Sequence, residues 1–315
     1  MKIKFFGIVV VLSLLLAAAL PTIALAGAYD TSFTTSITYQ NVDTAATTQL
    51  QILFYDGPSD TTPTIIDRPN LAAGAGTSLF IGGLTEIGSN FQGSAVMNSD
   101  KQLVATLVQL PQNSTTVKNR PLSNGFSTGG SQSLIASVLK NTFDTTTRFS
   151  VQNVTSTSAS VVIDFYNTSA VKVHTMNQTI QGGSAYFVDA GTISQLGTSF
   201  NGSAVVTATG GDVVSTALEL ELSGVGAKAF EGVAAGSTKF YMPSALCQAF
   251  GANTAYAVQN TSLSASTNVT VNYSNGTSET KSIGPGAKQS FIACNASGMP
   301  TGFSGAAVIE SSATP

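Results

Sequence analysis

The chain has 315 residues but no tryptophan, one histidine, two cysteines and only 9% charged residues. Lysine and arginine total 13 against 16 acidic residues, so the sequence lacks the positive charge needed to bind a nucleic-acid backbone. Disorder is disfavoured because a mean hydropathy of +0.23 provides enough apolar surface for collapse. After residue 26 no apolar run reaches the ~20 residues needed to span a bilayer. We therefore expect no nucleic-acid partner and no membrane span in the mature chain.

The first 26 residues have the pattern of a secretory signal peptide. Lys2 and Lys4 precede an apolar stretch over residues 5–20, and residues 24–26 form an Ala-Leu-Ala cleavage site. An uncleaved membrane anchor is the alternative, but the stretch is short for a span. We expect cleavage after Ala26 and a secreted or extracellular cell-surface location.

Export places the two cysteines in an oxidising compartment, where disulfides persist. Cys247 and Cys294 allow a single intrachain pairing, and both lie in the third repeat defined below. The sequence therefore predicts a Cys247–Cys294 disulfide, with two buried free thiols as the alternative.

Two short motifs occur three times each, in the same order and at nearly the same spacing. The first, Thr-x-apolar-x-apolar-Gln-Asn, ends at Asn41, Asn153 and Asn260. The second, Phe-x-Gly-Ser/Ala-Ala-Val, begins at Phe91, Phe200 and Phe303. A unit of this length is the size of an independent domain. We therefore divide the chain into a signal peptide, residues 1–26, and three repeats, residues 27–130, 131–236 and 237–315.

Each repeat reads as all-β. Between its two motifs the first repeat alternates Leu50, Ile52 and Phe54 with more polar residues, the period of a half-buried strand, and the other repeats do the same. Turn signals such as Asn275-Gly276 follow these strands, and helical spacing is nearly absent. The predicted fold class is all-β, with tandem Ig-like β-sandwich domains after the signal peptide.

The repeats differ at their ends. Leading strands are predicted over residues 131–139 and 239–243, but the first repeat has almost no room for one. Final strands are predicted over residues 102–110 and 212–222, whereas the sequence ends where the third should begin. We expect the chain to be a fragment of a longer array. The alternative is an open edge that a strand from another chain completes.

These motifs resemble uncharacterised Ig-like β-sandwich repeats found in secreted and cell-surface proteins of bacteria. In those repeats a Leu-Pro-like leading strand often precedes the Gln-Asn motif, and Met242-Pro243 is similar here. The resemblance covers nearly all of the mature chain. It implies a fold and a location, and it supplies no active-site residue.

Catalysis has few candidate residues. His174 is the sole imidazole and Asp164 is near it in sequence, but no nucleophile-elbow Gly-x-Ser-x-Gly accompanies them. Glu219 and Glu221 share one face of a strand, which we interpret as solvated because leucines occupy the other face. We predict no catalytic residue, no cofactor-binding residue and no enzymatic activity.

Metal binding is equally weak in the sequence. Asp56 and Asp60 could contribute to a Ca²⁺ loop, but the spacing lacks the repeated acidic pattern of such loops, and no Cys/His cluster has zinc spacing. We predict no metal site and no cofactor. The Gln-Asn motif is interpreted as turn structure at a strand end, and the Gly-Ser-Ala residues as positions of close packing.

Together these features predict a non-enzymatic exported surface, stalk or adhesion protein. Its partner would be an extracellular or cell-envelope protein or a glycan surface. A carbohydrate-binding or hydrolase-associated accessory module is one alternative, and it requires exposed aromatic rings in a row. A fibre subunit that assembles by strand donation is the other.

Overall fold

The computed structural model describes residues 27–112 and 114–312, so the predicted signal peptide and its cleavage after Ala26 lie outside the described residues. The regular structure is antiparallel β-strand with four single-turn 3₁₀ helices, Ile81–Gly83, Ala190–Thr192, Ser194–Leu196 and Ala293–Asn295. The predicted all-β fold class is confirmed.

The strands of the first repeat are β1 (Phe33–Asn41), β2 (Leu50–Asp56), β3 (Thr64–Asp67), β4 (Gly76–Phe80), β5 (Gly93–Ser99), β6 (Leu103–Pro111) and β7 (Leu122–Asn124). Those of the second are β8 (Gln132–Lys140), β9 (Thr145–Asn153), β10 (Ala159–Asn167), β11 (Lys172–Ile180), β12 (Ala185–Asp189), β13 (Phe200–Thr209), β14 (Val213–Glu221) and β15 (Ala227–Glu231). Those of the third are β16 (Lys239–Cys247), β17 (Ala255–Gln259), β18 (Thr267–Tyr273), β19 (Ser278–Ile283), β20 (Lys288–Ile292) and β21 (Phe303–Ser311).

The second repeat contains the complete set of strands. Its two four-stranded sheets have the orders β11-β10-β13-β8 and β12-β9-β14-β15. Alternate residues of both sheets meet in one core, where Val151, Ile163 and Phe165 are fully buried. The strict alternation of β10, with apolar residues inward, explains why this sequence forms a strand with one buried face.

The first repeat has sheets β3-β2-β5 and β4-β1-β6-β7. Tyr39, Ile52 and Phe54 are the most deeply buried residues of its core. In the second repeat β13 pairs with both β10 and the leading strand β8, whereas the equivalent β5 pairs with β2 alone among the described strands. The leading-strand position beside β5 is therefore unpaired in the described part of the chain.

The third repeat has sheets β16-β21-β18-β19 and β17-β20. Its leading strand β16 runs from Lys239 to Cys247, longer than the predicted 239–243. Among the described strands β17 pairs only with β20, whereas the equivalent β9 pairs with both β12 and β14. The other edge of β17 is unpaired in the described residues.

The two cysteines lie at disulfide distance, with Sγ atoms 2.14 Å apart and Cα atoms 4.8 Å apart. Cys247 ends β16 in the four-stranded sheet, and Cys294 lies in the 3₁₀ turn that follows β20 in the two-stranded sheet. The pair therefore links the two sheets of the third repeat.

Two equivalent turns hold a phenylalanine in the left-handed conformation. Phe143 has φ +56° between β8 and β9, and Phe250 has φ +54° between β16 and β17. Each is followed by a second positive-φ residue, Asp144 or Gly251, as in a two-residue type I′ turn. The two rings are 69% and 90% exposed, so little packing offsets the backbone strain.

Replacing Phe250 by asparagine is expected to raise the free energy of unfolding of the third repeat by about 1 kcal/mol, because asparagine tolerates this conformation. Urea denaturation of the purified chain measures the change. Phe240→Asn is the matched control, since Phe240 is also exposed but lies in a strand, where asparagine is disfavoured. A loss of stability in Phe250→Asn would contradict the strain argument.

Candidate functional site: a joint between consecutive repeats

The asparagine of each Gln-Asn motif closes a loop within its own repeat. Asn41, Asn153 and Asn260 are 0%, 0% and 6% exposed. The Asn153 amide donates to the carbonyls of Thr157 (2.7 Å) and Ile180 (3.0 Å), and its Oδ1 accepts from the Thr155 N–H (3.0 Å). Asn41 and Asn260 make the same kinds of bonds. The turn interpretation of this residue is therefore supported.

Asn153→Ala is expected to lower the free energy of unfolding of the second repeat by about 2 kcal/mol, because buried backbone groups lose their partners. Thermal or urea unfolding measures the loss. Gln40 is the exposed residue directly before Asn41, the equivalent of Asn153 in the first repeat. Gln40→Ala is the control, and it is expected to change the free energy of unfolding by less than about 0.5 kcal/mol. Equal effects of the two substitutions would contradict this assignment.

The glutamine of the motif reaches into the preceding repeat. Gln152 Nε2 donates to the Gly183 carbonyl in its own repeat (3.0 Å) and to the Ala95 carbonyl in the first repeat (3.4 Å). The third repeat reproduces this pattern. Gln259 Nε2 donates to the carbonyls of Gly286 and Ala204, both at 3.2 Å. The interpretation of the whole motif as turn structure is thus wrong for its glutamine.

The serine of the Gly-Ser-Ala motif, in the preceding repeat, donates a hydrogen bond to the same glycine carbonyl. Ser94 Oγ donates to the Gly183 carbonyl at 2.7 Å, and Ser203 Oγ donates to the Gly286 carbonyl at 2.7 Å. Both serines are buried, at 9% and 0% exposure. One glycine carbonyl thus accepts from its own repeat's glutamine and from the preceding repeat's serine.

A tyrosine completes the contact. A Cβ built on Gly183 would come within 2.4 Å of the Tyr55 ring, and one on Gly286 within 3.0 Å of the Tyr166 ring. Both glycines also have left-handed φ, +81° and +67°. Glycine is therefore required twice, for the backbone conformation and for the approach of the ring. Partial burial raises the pKa of Tyr55 and of Tyr166, and nearby Asp60 and Asp164 add to the two shifts.

We call each of these contacts a joint. The tyrosine face of a repeat consists of Tyr55 and Ser94, or of Tyr166 and Ser203. The glycine face of the next repeat consists of Gln152 and Gly183, or of Gln259 and Gly286. The two joints therefore use the same four residue types at equivalent positions.

The glycine of the Phe-x-Gly motif has a role within the tyrosine face. A Cβ on Gly93 would lie 1.9 Å from the Tyr55 carbonyl and 2.5 Å from the Phe91 ring. At Gly202 the same contacts are 2.1 Å to the Tyr166 carbonyl and 2.4 Å to the Phe200 ring. The phenylalanine folds over its own glycine, which supports the prediction that these small residues permit close packing.

No protein-family model, curated protein or solved structure matches this chain. The joint is consequently interpreted from its own geometry.

The first joint has additional bonds around the turn after β2. The Pro58 carbonyl accepts from the Gln181 N–H (2.8 Å), and the Asp60 carbonyl accepts from Ser184 Oγ (2.8 Å). The Asp60 carboxylate accepts from the backbone N–H of Asp56 (2.8 Å), so it shapes this turn. The Asp56 and Asp60 pair considered for Ca²⁺ is therefore part of a structural loop at the joint.

The second joint contains a buried lysine. Lys288 is 2% exposed, and its Nζ donates to Ser290 Oγ at 3.1 Å. Burial lowers its pKa to about 8, and the charge of Glu219 in the second repeat acts in the opposite direction. The equivalent position in the second repeat is Ala185, since Gln259 pairs with Lys288 as Gln152 pairs with Ala185.

The acidic residues of β14 are not on a solvated face, contrary to the sequence interpretation. Glu219 and Glu221 are half-buried. Glu219 accepts from Ser137 Oγ at 2.6 Å, and Glu221 accepts from the Gly226 N–H at 2.9 Å. Neighbouring strand and loop residues cover this face, which strand alternation by itself does not reveal.

His174 lies on β11 opposite Phe165, with the two rings stacked at a centroid distance of 5.9 Å. Asp164, its neighbour in sequence, bonds instead to Thr175 Oγ1 and to Lys172 Nζ. Within residues 27–112 and 114–312, no three His, Cys, Asp or Glu side chains are grouped as metal ligands would be. No helix in that part of the chain is long and apolar enough to cross a membrane.

A groove of about 1940 Å³ lies between the first two repeats. Phe91 and Met97 of the first repeat line it beside the edge of β5 that pairs with no described strand, and Phe187 and Leu218 of the second repeat line the other side. Asp189 at its margin is already bonded to Arg148 Nε (2.8 Å) and to Tyr29 Oη (2.9 Å). The bond from Tyr29, which precedes β1, to Asp189 therefore links the start of the first repeat to the second repeat.

Proposed function

We propose that this chain is a non-enzymatic exported surface, stalk or adhesion protein in which β-sandwich repeats are held in a fixed series. The observation that carries the proposal is the repeated joint. Residues that recur at the repeat spacing serve packing within a repeat or contact between repeats. A catalytic centre is built differently, from chemically distinct groups that converge on one cavity.

The mechanism is spatial. Each joint combines a half-buried tyrosine ring with serine and glutamine hydrogen bonds to one backbone carbonyl. These contacts, rather than a flexible linker, then fix the angle between neighbouring repeats. Loops at the sides of the series can then be presented to an extracellular or cell-envelope protein or a glycan. The resemblance to Ig-like repeats of bacterial surface proteins supports the same location.

The proposal is tested by expressing all 315 residues in a bacterial host that exports proteins. The expected product is an exported chain whose amino terminus begins at Gly27 and whose cysteines resist alkylation after unfolding without reductant. A full-length product retained inside the cell, with two alkylatable thiols, would contradict it. The fibre alternative predicts self-assembly of the purified chain, whereas we expect a monomer.

A further inference from the structure

The first repeat carries a complete glycine face of its own. Gln40 occupies the position of Gln152 and Gln259, and Gly74 occupies that of Gly183 and Gly286. Gln40 Nε2 donates to the Gly74 carbonyl at 2.9 Å, the same bond made within the other two repeats. Gly74 also has left-handed φ, at +70°.

This face has no partner among the described residues. A Cβ on Gly74 would have no atom within 4 Å, whereas Gly183 and Gly286 each lie against a tyrosine ring. Gln40 is exposed, and Gln152 and Gln259 are half-buried at their joints. The half of the joint that receives a tyrosine face is therefore already formed and accessible on the first repeat.

The third repeat does not carry a matching tyrosine face. Ser274 stands where Tyr55 and Tyr166 stand, directly after the inward aromatic residue at the end of the second strand. Ala306 stands where Ser94 and Ser203 stand, after the glycine of the Phe-x-Gly motif. Both residues that the first two repeats insert into their neighbours are thus replaced, and the remainder of the motif is kept.

We infer that the glycine face of the first repeat is a docking site for the tyrosine face of a repeat on a different polypeptide. That partner ends a β-strand with a tyrosine and carries the Gly-Ser step beside it. The two joints within this chain show the required contacts. Residues 27–312 of a second copy do not supply this face. Its first two tyrosine faces are engaged in its own joints, and Ser274 and Ala306 provide neither the ring nor the hydroxyl in its third repeat.

The test restores the missing face on the full chain and uses that variant as the probe. Ser274→Tyr with Ala306→Ser introduces the residues that the first two repeats carry at these positions. Ser274 is exposed and Ala306 is half-buried, and the change at position 274 removes the bond that Ser274 Oγ accepts from the Ala306 N–H (3.1 Å). Sedimentation equilibrium compares this double variant with the parent chain up to about millimolar concentration, which is the effective concentration that a short flexible linker gives to tethered modules.

The expected result is at least about a tenfold higher association constant for the double variant, since one ring contact and one buried hydrogen bond are gained. Adding Gly74→Asn should abolish the increase, because asparagine tolerates left-handed φ and its side chain fills the position of the ring. Gln40→Ala in the same background should reduce it. Matching circular dichroism spectra confirm that each variant is folded.

No increase in association, or an increase that Gly74→Asn leaves unchanged, would overturn the inference. The outcome is independent of whether the chain is exported, so it is distinct from the test of the proposed function.

Discussion

Reducing the Cys247–Cys294 pair is expected to lower the free energy of unfolding of the third repeat by about 4 kcal/mol. The two cysteines are 47 residues apart, and a cross-link of that span restricts the unfolded chain by about this amount in the chain-entropy treatment. A loss of this size matters most in the third repeat, because its second sheet has only two described strands, β17 and β20. The described part of the third repeat therefore has fewer paired strands to stabilise it than the second repeat has.

The measurement is urea denaturation with and without reductant, followed by tyrosine fluorescence or circular dichroism. One transition should move to lower urea concentration, and the transitions of the first two repeats should stay in place. The cysteine-free variant with alanine at both positions should reproduce the shift without reductant. An unchanged set of transitions after complete reduction would contradict the structural role of this pair.

Replacing Lys288 by methionine is expected to stabilise the third repeat and its joint by on the order of 3 kcal/mol at pH 7. The folded-state pKa of Lys288 is about 8 against an ordinary value of 10.5, so the folded protein resists the charge that the unfolded chain accepts. Below pH 8 the lysine is protonated in both states and the cost is fully present. Methionine fills the same space without the buried charge.

The pH dependence has a defined sign. Between pH 8 and 10.5 the unfolded chain binds more protons at Lys288 than the folded one, so stability of the parent chain should rise with pH in this window. Lys288→Met should remove that rise. Lys172→Met is the control, because the Lys172 side chain is 50% exposed and its ion pair with Asp164 lies at the surface. A parent chain whose stability is flat across this window would contradict the assignment.

The series of repeats and the strands within it were accessible from sequence because their signals are local. Alternation of apolar residues in β2, β10 and β18 predicts half-buried strands. Two motifs at constant spacing predict equivalent units. The strand-end positions of Asn41, Asn153 and Asn260 predict turn residues, because an asparagine there usually bonds the neighbouring backbone, and the structure shows these bonds.

The joint was not predicted, because a motif within one repeat does not reveal which surface of another repeat it meets. A usable signal was nonetheless present. Tyrosine and serine occur at the tyrosine-face positions of the first and second repeats, which are followed by another repeat, and change to Ser274 and Ala306 in the third. A position that recurs in both repeats whose joint with the next repeat lies within the described residues is a candidate contact between repeats.

Lys288 and the acidic residues of β14 illustrate a second feature that could not be predicted from the sequence, which is burial by other elements. In isolation, Lys288 starts a strand and should point to solvent, and Glu219 alternates with leucines as an exposed residue would. Lys288 is buried and Glu219 is half-buried because residues of other strands and loops pack against them. Burial of this kind depends on tertiary arrangement, which the period of a single strand does not encode.

The most direct test of the joint is the distance between spin labels placed on neighbouring repeats. Labels at Asn177 and Ser282, both exposed, are attached through unnatural amino acids so that the cysteine pair is left intact. Pulsed electron resonance of the parent chain should give one narrow distance distribution. Tyr166→Ser with Ser203→Ala, which gives the second repeat the residues of the third, should broaden it strongly. An equally narrow distribution in that variant would contradict the claim that these residues fix the repeats in place.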